Sequence, residues 1–145
     1  FSGKVKGLSD KELFFETCRL MDDLEDNSLI IANLIEFDSL FGHRRDVVGY
    51  AKALERFDSW LPRLVSSLKE DDMLLITADH GNDPTFPGSD HTREQVPVLV
   101  KIGSLAVRST TKFGNKGVVN MVDVSATLAD FFNLNNWSIG RSLIS

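Results

Sequence analysis

The sequence predicts an α/β fold in which helices flank a largely parallel sheet. Two short apolar runs, SLIIANLI at 28–35 and MLLITA at 73–78, are continuous rather than alternating, the pattern of strands covered on both faces. Between them, residues 46–68 repeat apolar side chains at helical spacing, giving the strand, helix, strand order that joins parallel neighbours. With 145 residues, 42% of them hydrophobic and 26% charged, the chain can build one sizeable core, and residues 1–145 are read as a single domain.

Each element has its own signal. Ser9 or Asp10 can cap a helix whose apolar positions Leu13, Phe14, Thr17, Leu20, Met21 and Leu24 recur at three- and four-residue steps. Residues 28–35 follow as the first buried strand, and 37–45 read as a loop. From Asp46, the set Val47, Tyr50, Ala51, Leu54, Phe57, Leu61, Leu64, Val65 and Leu68 keeps helical period, with Pro62 expected to kink or restart the helix. Residues 73–78 form the second strand and QVPVLVK, 95–101, a third, with Pro97 favouring an edge. Residues 103–117 are rich in Gly, Ser and Thr and read as irregular. VDVSATLADFF, 122–132, is the last helix, before an irregular tail containing Trp137.

Composition excludes several classes of function. The net charge of −5 argues against a nucleic-acid or anionic-membrane surface, because those partners require clustered Lys and Arg. No apolar run approaches the roughly 18 residues that span a bilayer, and FSGKVKG lacks the apolar region of a signal peptide, so a cytoplasmic setting is expected. The single cysteine, Cys18, has no partner for a disulfide and no CxxC spacing, and reads as a small buried hydrophobe. The chain begins with Phe1 rather than Met, which suggests a piece of a longer product.

The chemistry concentrates where strands end. In parallel α/β sheets ligands bind beyond the carboxyl ends of the strands. Asp38 and His43 follow the first run, in EFDSLFGHRRD, and Asp79 and His80 follow the second, in TADHGN. The chain has three histidines, and His91 in GSDH is the third, so all of them fall in these post-strand loops, each within reach of an aspartate. Carboxylate with neutral imidazole is a donor set for Mn, Zn or Fe, and the oxygen-rich balance leans towards manganese. Gly42 and Gly81 stand beside the donors, where glycine permits a sharp turn. No GxSxG elbow, Cys-His arrangement or GxxxxGK[ST] loop is present, which argues against a triad hydrolase or a P-loop enzyme. The five donors Asp38, His43, Asp79, His80 and His91 exceed the need of one open four-coordinate site, yet fall one short of two ions with three protein ligands each.

FDSLFGHRRD, TADHGNDPTFPGSDHTRE and the following VPVLV resemble the C-terminal part of the catalytic core of the phosphopentomutase family, within the alkaline phosphatase superfamily. The likeness is dense from about Asn33 to Val100, weaker before it, and present again in VDVSATLADFF and GRSL. It implies an alkaline-phosphatase-like core that here lacks the N-terminal strands and the cap domain. It also implies two divalent ions, taken as Mn2+: one held by Asp38, His43 and His91, the other by Asp79, His80 and an aspartate outside this sequence. The implied reaction interconverts (deoxy)ribose 1-phosphate and 5-phosphate through a phosphothreonine, primed by a sugar bisphosphate. That threonine has no counterpart here. Thr77, Thr85 and Thr92 lie near the donors but not at its position, so the chain alone is expected to be inactive and to need the missing N-terminal part of the same enzyme. Arg44, Arg45 and Arg93 flank the donors and are candidates to hold phosphate oxygens, with ion pairs to Asp46, Asp90 or Glu94 as the equal alternative. Cofactor-independent phosphoglycerate mutase shares TADHGN and a later His-Thr but not the FDxxxGHRRD form. A non-catalytic metal-binding domain is the competing reading from outside enzymology.

Overall fold

The computed structural model describes residues 3–6, 9–103 and 114–145. The chain divides into two compact units, Phe1–Leu105 and Ala106–Ser145.

In the first unit, α1 runs from Asp10 to Asp23. Ser9 is its N-cap, and a capping box closes it: the Glu12 amide donates to the Ser9 hydroxyl, and the Ser9 amide donates to the Glu12 carboxylate at 2.9 Å. Residues Val47–Ser66 form α2, which Asp46 caps by accepting from the Gly49 amide at 2.8 Å. Of the two expectations for Pro62, a restart does not occur: α2 runs through it unbroken. Proline costs a helix one hydrogen bond and a clash rather than forbidding it, and Trp60, Leu61 and Leu64 around it all reach the core.

The two helices enclose the core of this unit. Phe14, Cys18 and Leu64 are its buried centre, with Phe15, Met21, Phe57, Trp60, Leu61 and Leu74 packed around them. Phe14 meets Phe57 edge-on at 6.1 Å and Trp60 at 5.4 Å, geometries that aromatic quadrupoles favour. Cys18 is buried here, as a small hydrophobe would be.

The sheet differs from expectation. Among the described residues it has two strands, β1 (Met73–Thr77) and β2 (Val98–Ile102), and they pair antiparallel with Leu75 opposite Val100. A parallel pair requires a crossover, usually helical, whereas residues 78–97 are punctuated by Gly and Pro and turn the chain straight back. Pro97 lies immediately before β2, so its missing N–H costs the ladder nothing. Residues 28–35 form no strand: no described segment pairs with them, and Leu29, Ile31 and Ile35 are exposed. An apolar run states a need for cover without saying what supplies it. The predicted parallel sheet therefore does not form among the described residues, although the α/β content agrees with the family assignment given below.

Residues 37–45 are not the expected loop. Phe37–Gly42 is a π-helical turn in which the His43 amide donates to the Asp38 carbonyl at 2.9 Å.

In the second unit, α3 spans Met121–Phe131 behind an Asn120 cap. The closing residues fold onto it. The Thr127 hydroxyl is fully buried, donates to the Asp123 carbonyl at 2.6 Å and accepts from the Leu143 amide at 3.0 Å. The Asp123 carboxylate accepts from the Arg141 amide at 2.8 Å. Trp137 lies in the irregular tail and donates to the Ile139 carbonyl. The predicted irregular stretch 103–117 falls largely outside the described residues, at 104–113.

Candidate metal centre

The π turn explains how residues five apart come to act together. In an α-helix, a five-residue step rotates about 140° and would send Asp38 and His43 to different faces. Closure from i to i+5 stacks them instead, and His43 Nε2 lies 3.2 Å from Asp38 Oδ2. The loop between β1 and β2 supplies the third group. Its neck is an isolated bridge between Gly81 and Thr92, with the Thr92 amide donating to the Gly81 carbonyl at 3.0 Å. The Thr92 hydroxyl accepts from the Asp83 amide and donates to Glu94. His91, one residue before the neck, is thereby swung over to His43.

Asp38, His43 and His91 can each offer one donor atom, all within 4.8 Å of one another. His91 Nε2 is 3.1 Å from His43 Nε2 and 3.3 Å from Asp38 Oδ1. Atoms bonded to one ion at about 2.0–2.2 Å, 90–110° apart, are separated by roughly this much. The donor set therefore fits a divalent ion in size as well as in chemistry. His43 Nδ1 donates to the Ser89 carbonyl, which leaves the Nε2 lone pair free to ligate. Burial pushes the Asp38 carboxyl up, but the Asn82 amide and the imidazoles of His43, His91 and His80 together hold it below the usual Asp value. Asp38 thus stays ionised, as a ligand must.

Asp79 and His80 lie beyond the end of β1, as expected, but outside this triangle. The His80 ring stacks on His91 at 3.6 Å and 22°, so all three histidines do converge. The Asp79 side chain is 84% exposed and 3.6 Å from His80 Nε2.

The arginines divide. Arg44 and Arg93 are exposed. Arg45 is half-buried, and its guanidinium points into the 81–91 loop, bonded to four backbone carbonyls and to Asn82. Among the described residues it makes none of the ion pairs offered as the alternative to phosphate binding.

Asn82 is the residue that sequence reasoning missed. It is 7% exposed, donates from Nδ2 to Asp38 Oδ1 at 2.6 Å, and accepts from Arg45 at 2.6 Å. The available signal was a polar side chain following the Asp-His pair in TADHGN. Gly42 also has a different reason from the one expected. Neither it nor Gly81 has a left-handed φ; a Cβ on Gly42 would stand 2.4 Å from Asn82 Nδ2, and one on Gly81 would stand 2.5 Å from the Glu94 carboxyl carbon. Gly42 is glycine for space rather than for turning, whereas the Glu94 carboxylate beside Gly81 ends a flexible side chain that can move.

The donor cluster is of the kind a metal-dependent enzyme uses, and the family match agrees with it. Residues 4–136 match the metalloenzyme superfamily, and the chain belongs to it. Within that class its similarity is to proteins named phosphopentomutase. It is 46% identical over 97% of its length to the one from Yersinia enterocolitica serotype O:8 / biotype 1B (strain NCTC 13174 / 8081). It is 43% identical over the same share to the one from Aliivibrio salmonicida (strain LFI1238). These alignments cover 33% and 34% of the two relatives, so the chain spans about a third of their length. Among the described residues no helix is long and apolar enough to cross a membrane.

Proposed function

We propose that this chain is the C-terminal portion of a phosphopentomutase, contributing most of the protein ligands of a two-cation centre that isomerises (deoxy)ribose 1-phosphate and 5-phosphate in the cytoplasm. The observation that carries the reading is the cluster of Asp38, His43 and His91, whose donor atoms lie within 4.8 Å of one another, in a chain similar to phosphopentomutases along 97% of its length. Both units are taken as parts of one core, since the family match runs from residue 4 to 136.

In this reading Asp38, His43 and His91 hold one Mn2+, and Asp79 and His80 hold the second together with an aspartate from outside this sequence. The exposure of Asp79 suits a side chain whose co-ligand comes from elsewhere in the polypeptide. When bound, the cations neutralise charge on the attacking and leaving oxygens of an in-line phosphoryl transfer. Arg44 and Arg93, both exposed beside donors, are free to orient phosphate oxygens. Arg45 serves the loop instead. The phosphoryl-carrying threonine and the response to a sugar bisphosphate belong to the remaining two thirds of the enzyme.

A longer protein containing this chain, assayed with ribose 1-phosphate and Mn2+, is expected to form ribose 5-phosphate. Conversion of phosphoglycerate but not of the pentose phosphate would overturn the assignment. The isolated 145-residue chain should show no mutase turnover. It should still bind one Mn2+ by calorimetry, and His91→Ala should abolish that binding.

A further inference from the structure

We propose that Arg45 is a positioning residue that sets all three donors of the Asp38, His43 and His91 triangle, through Asn82 on one side and the 88–90 backbone on the other. The proposal rests on the metal-centre reading above and adds a role for a residue that touches no ligand.

The arrangement begins with an unusual backbone. Arg45 has φ +55, a left-handed conformation that non-glycine residues seldom adopt and that surrounding contacts must hold. Those contacts come from its own side chain. Nη1 donates to Asn82 Oδ1 at 2.6 Å, to the Gly42 carbonyl at 3.0 Å and to the Asp83 carbonyl at 3.1 Å. Nη2 donates to the Asp90 carbonyl at 2.6 Å, and Nε to the Gly88 carbonyl. Only a planar fork of five N–H groups meets so many acceptors at fixed angles; a lysine ammonium has three.

Two consequences reach the donors. First, an amide oxygen that accepts from Arg45 leaves Asn82 Nδ2 no choice but to face Asp38, where it donates at 2.6 Å and fixes the carboxylate. Second, the carbonyls of Gly88 and Asp90 bracket that of Ser89, which accepts from His43 Nδ1. Gly88, at φ +86, supplies the backbone bend within that run. By clamping both neighbours of Ser89, Arg45 aims the carbonyl that keeps the proton on Nδ1 and the Nε2 lone pair on the ligating side. The Asp90 carbonyl it holds also joins directly to His91. One guanidinium thus governs a carboxylate orientation, an imidazole tautomer and the approach of the second imidazole.

The test uses Arg45→Lys and Asn82→Ala in the 145-residue chain. Two readouts are taken: Mn2+ affinity by calorimetry, and the metal-free His43 tautomer from imidazole nitrogen shifts. Arg45→Lys should weaken Mn2+ binding by about 10–100-fold, as loss of support behind a metal ligand does, and should move His43 from the Nδ1–H tautomer towards a mixture. Asn82→Ala should weaken binding by about tenfold and leave the tautomer unchanged, because the clamp on 88–90 remains. If Arg45→Lys does not fold, Asn82→Ala decides, and unchanged affinity in it overturns the proposal. Wild-type affinity and an unchanged tautomer in folded Arg45→Lys overturn it too. If the unsubstituted chain binds no Mn2+, the metal reading fails while the tautomer still judges the role of Arg45.

Discussion

At the scale of single residues, the centre depends on how closely Asn82 approaches Gly42. The missing Cβ leaves room for the Asn82 amide to lie against the backbone of the π turn while it holds Asp38. Gly42→Ala would place a methyl 2.4 Å from Nδ2 and 2.6 Å from Cγ of a side chain that Arg45 and Asp38 pin from both ends. Neither end can give way without losing a bond, so the substitution should cost about 1–3 kcal/mol in urea unfolding, the range for overpacking. If the clash is the cause, Asn82→Ala introduced with Gly42→Ala should recover part of that loss, whereas strictly additive costs would exclude it. The clustering of the histidines beside Asp38 was legible in the sequence, since three histidines in two aspartate-bearing loops form a pattern of residue types. Asn82, Arg45 and the true reason for Gly42 were not, because each depends on a through-space contact between segments about 40 residues apart.

At the scale of elements, what could be read depended on whether the signal was local. The capping box of α1 and the periods of α2 and α3 are written within a few residues of where they act, and those helices appear close to their expected bounds. The π turn at Phe37–Gly42 carries no such signature, since the same six residues are compatible with a loop. The expectation of a largely parallel sheet took no account of the 78–97 connection, whose Gly and Pro suit a direct antiparallel return to β2 rather than a helical crossover. One element contact has a measurable pH dependence. Asp10 opens α1 buried against Glu36, whose amide donates to it at 3.2 Å. Burial raises the Asp10 carboxyl above 3.8, the Glu36 amide lowers it, and the Glu36 charge raises it again, with a net upward shift. The folded state therefore binds this proton more tightly than the unfolded chain does. The associated stability is complete below the ordinary Asp value and is lost as pH rises through the folded one. Asp10→Asn keeps an oxygen to accept from Glu36 and removes the charge. Its stability relative to wild type should improve as pH rises from about 3 to 6, and a difference independent of pH in denaturant titrations would refute the coupling.

For the molecule as a whole, the exposed run at 28–35 matters more than any single bond. Leu29, Ile31 and Ile35 are among its most exposed large apolar side chains, and no described segment offers their backbone a strand partner. An apolar segment with unpaired N–H and C=O groups is a template for adding another strand. The relatives that match this chain are about three times its length, so they contain further polypeptide that could cover such a run. In the isolated chain the available cover is a second copy. Sedimentation velocity should then show association that grows with concentration. Ile31, 68% exposed, is the position at which to interrupt it: a lysine there meets little of the folded unit and should change its stability by no more than about 0.5 kcal/mol. The buried lysine charge would, however, oppose any strand laid alongside. Ile31→Lys should therefore sediment as a monomer at concentrations where the unsubstituted chain does not, with an unchanged unfolding midpoint. A wild-type chain that is monomeric throughout would show that the run drives no association, and a lysine variant that associates equally well would place the sticky surface elsewhere.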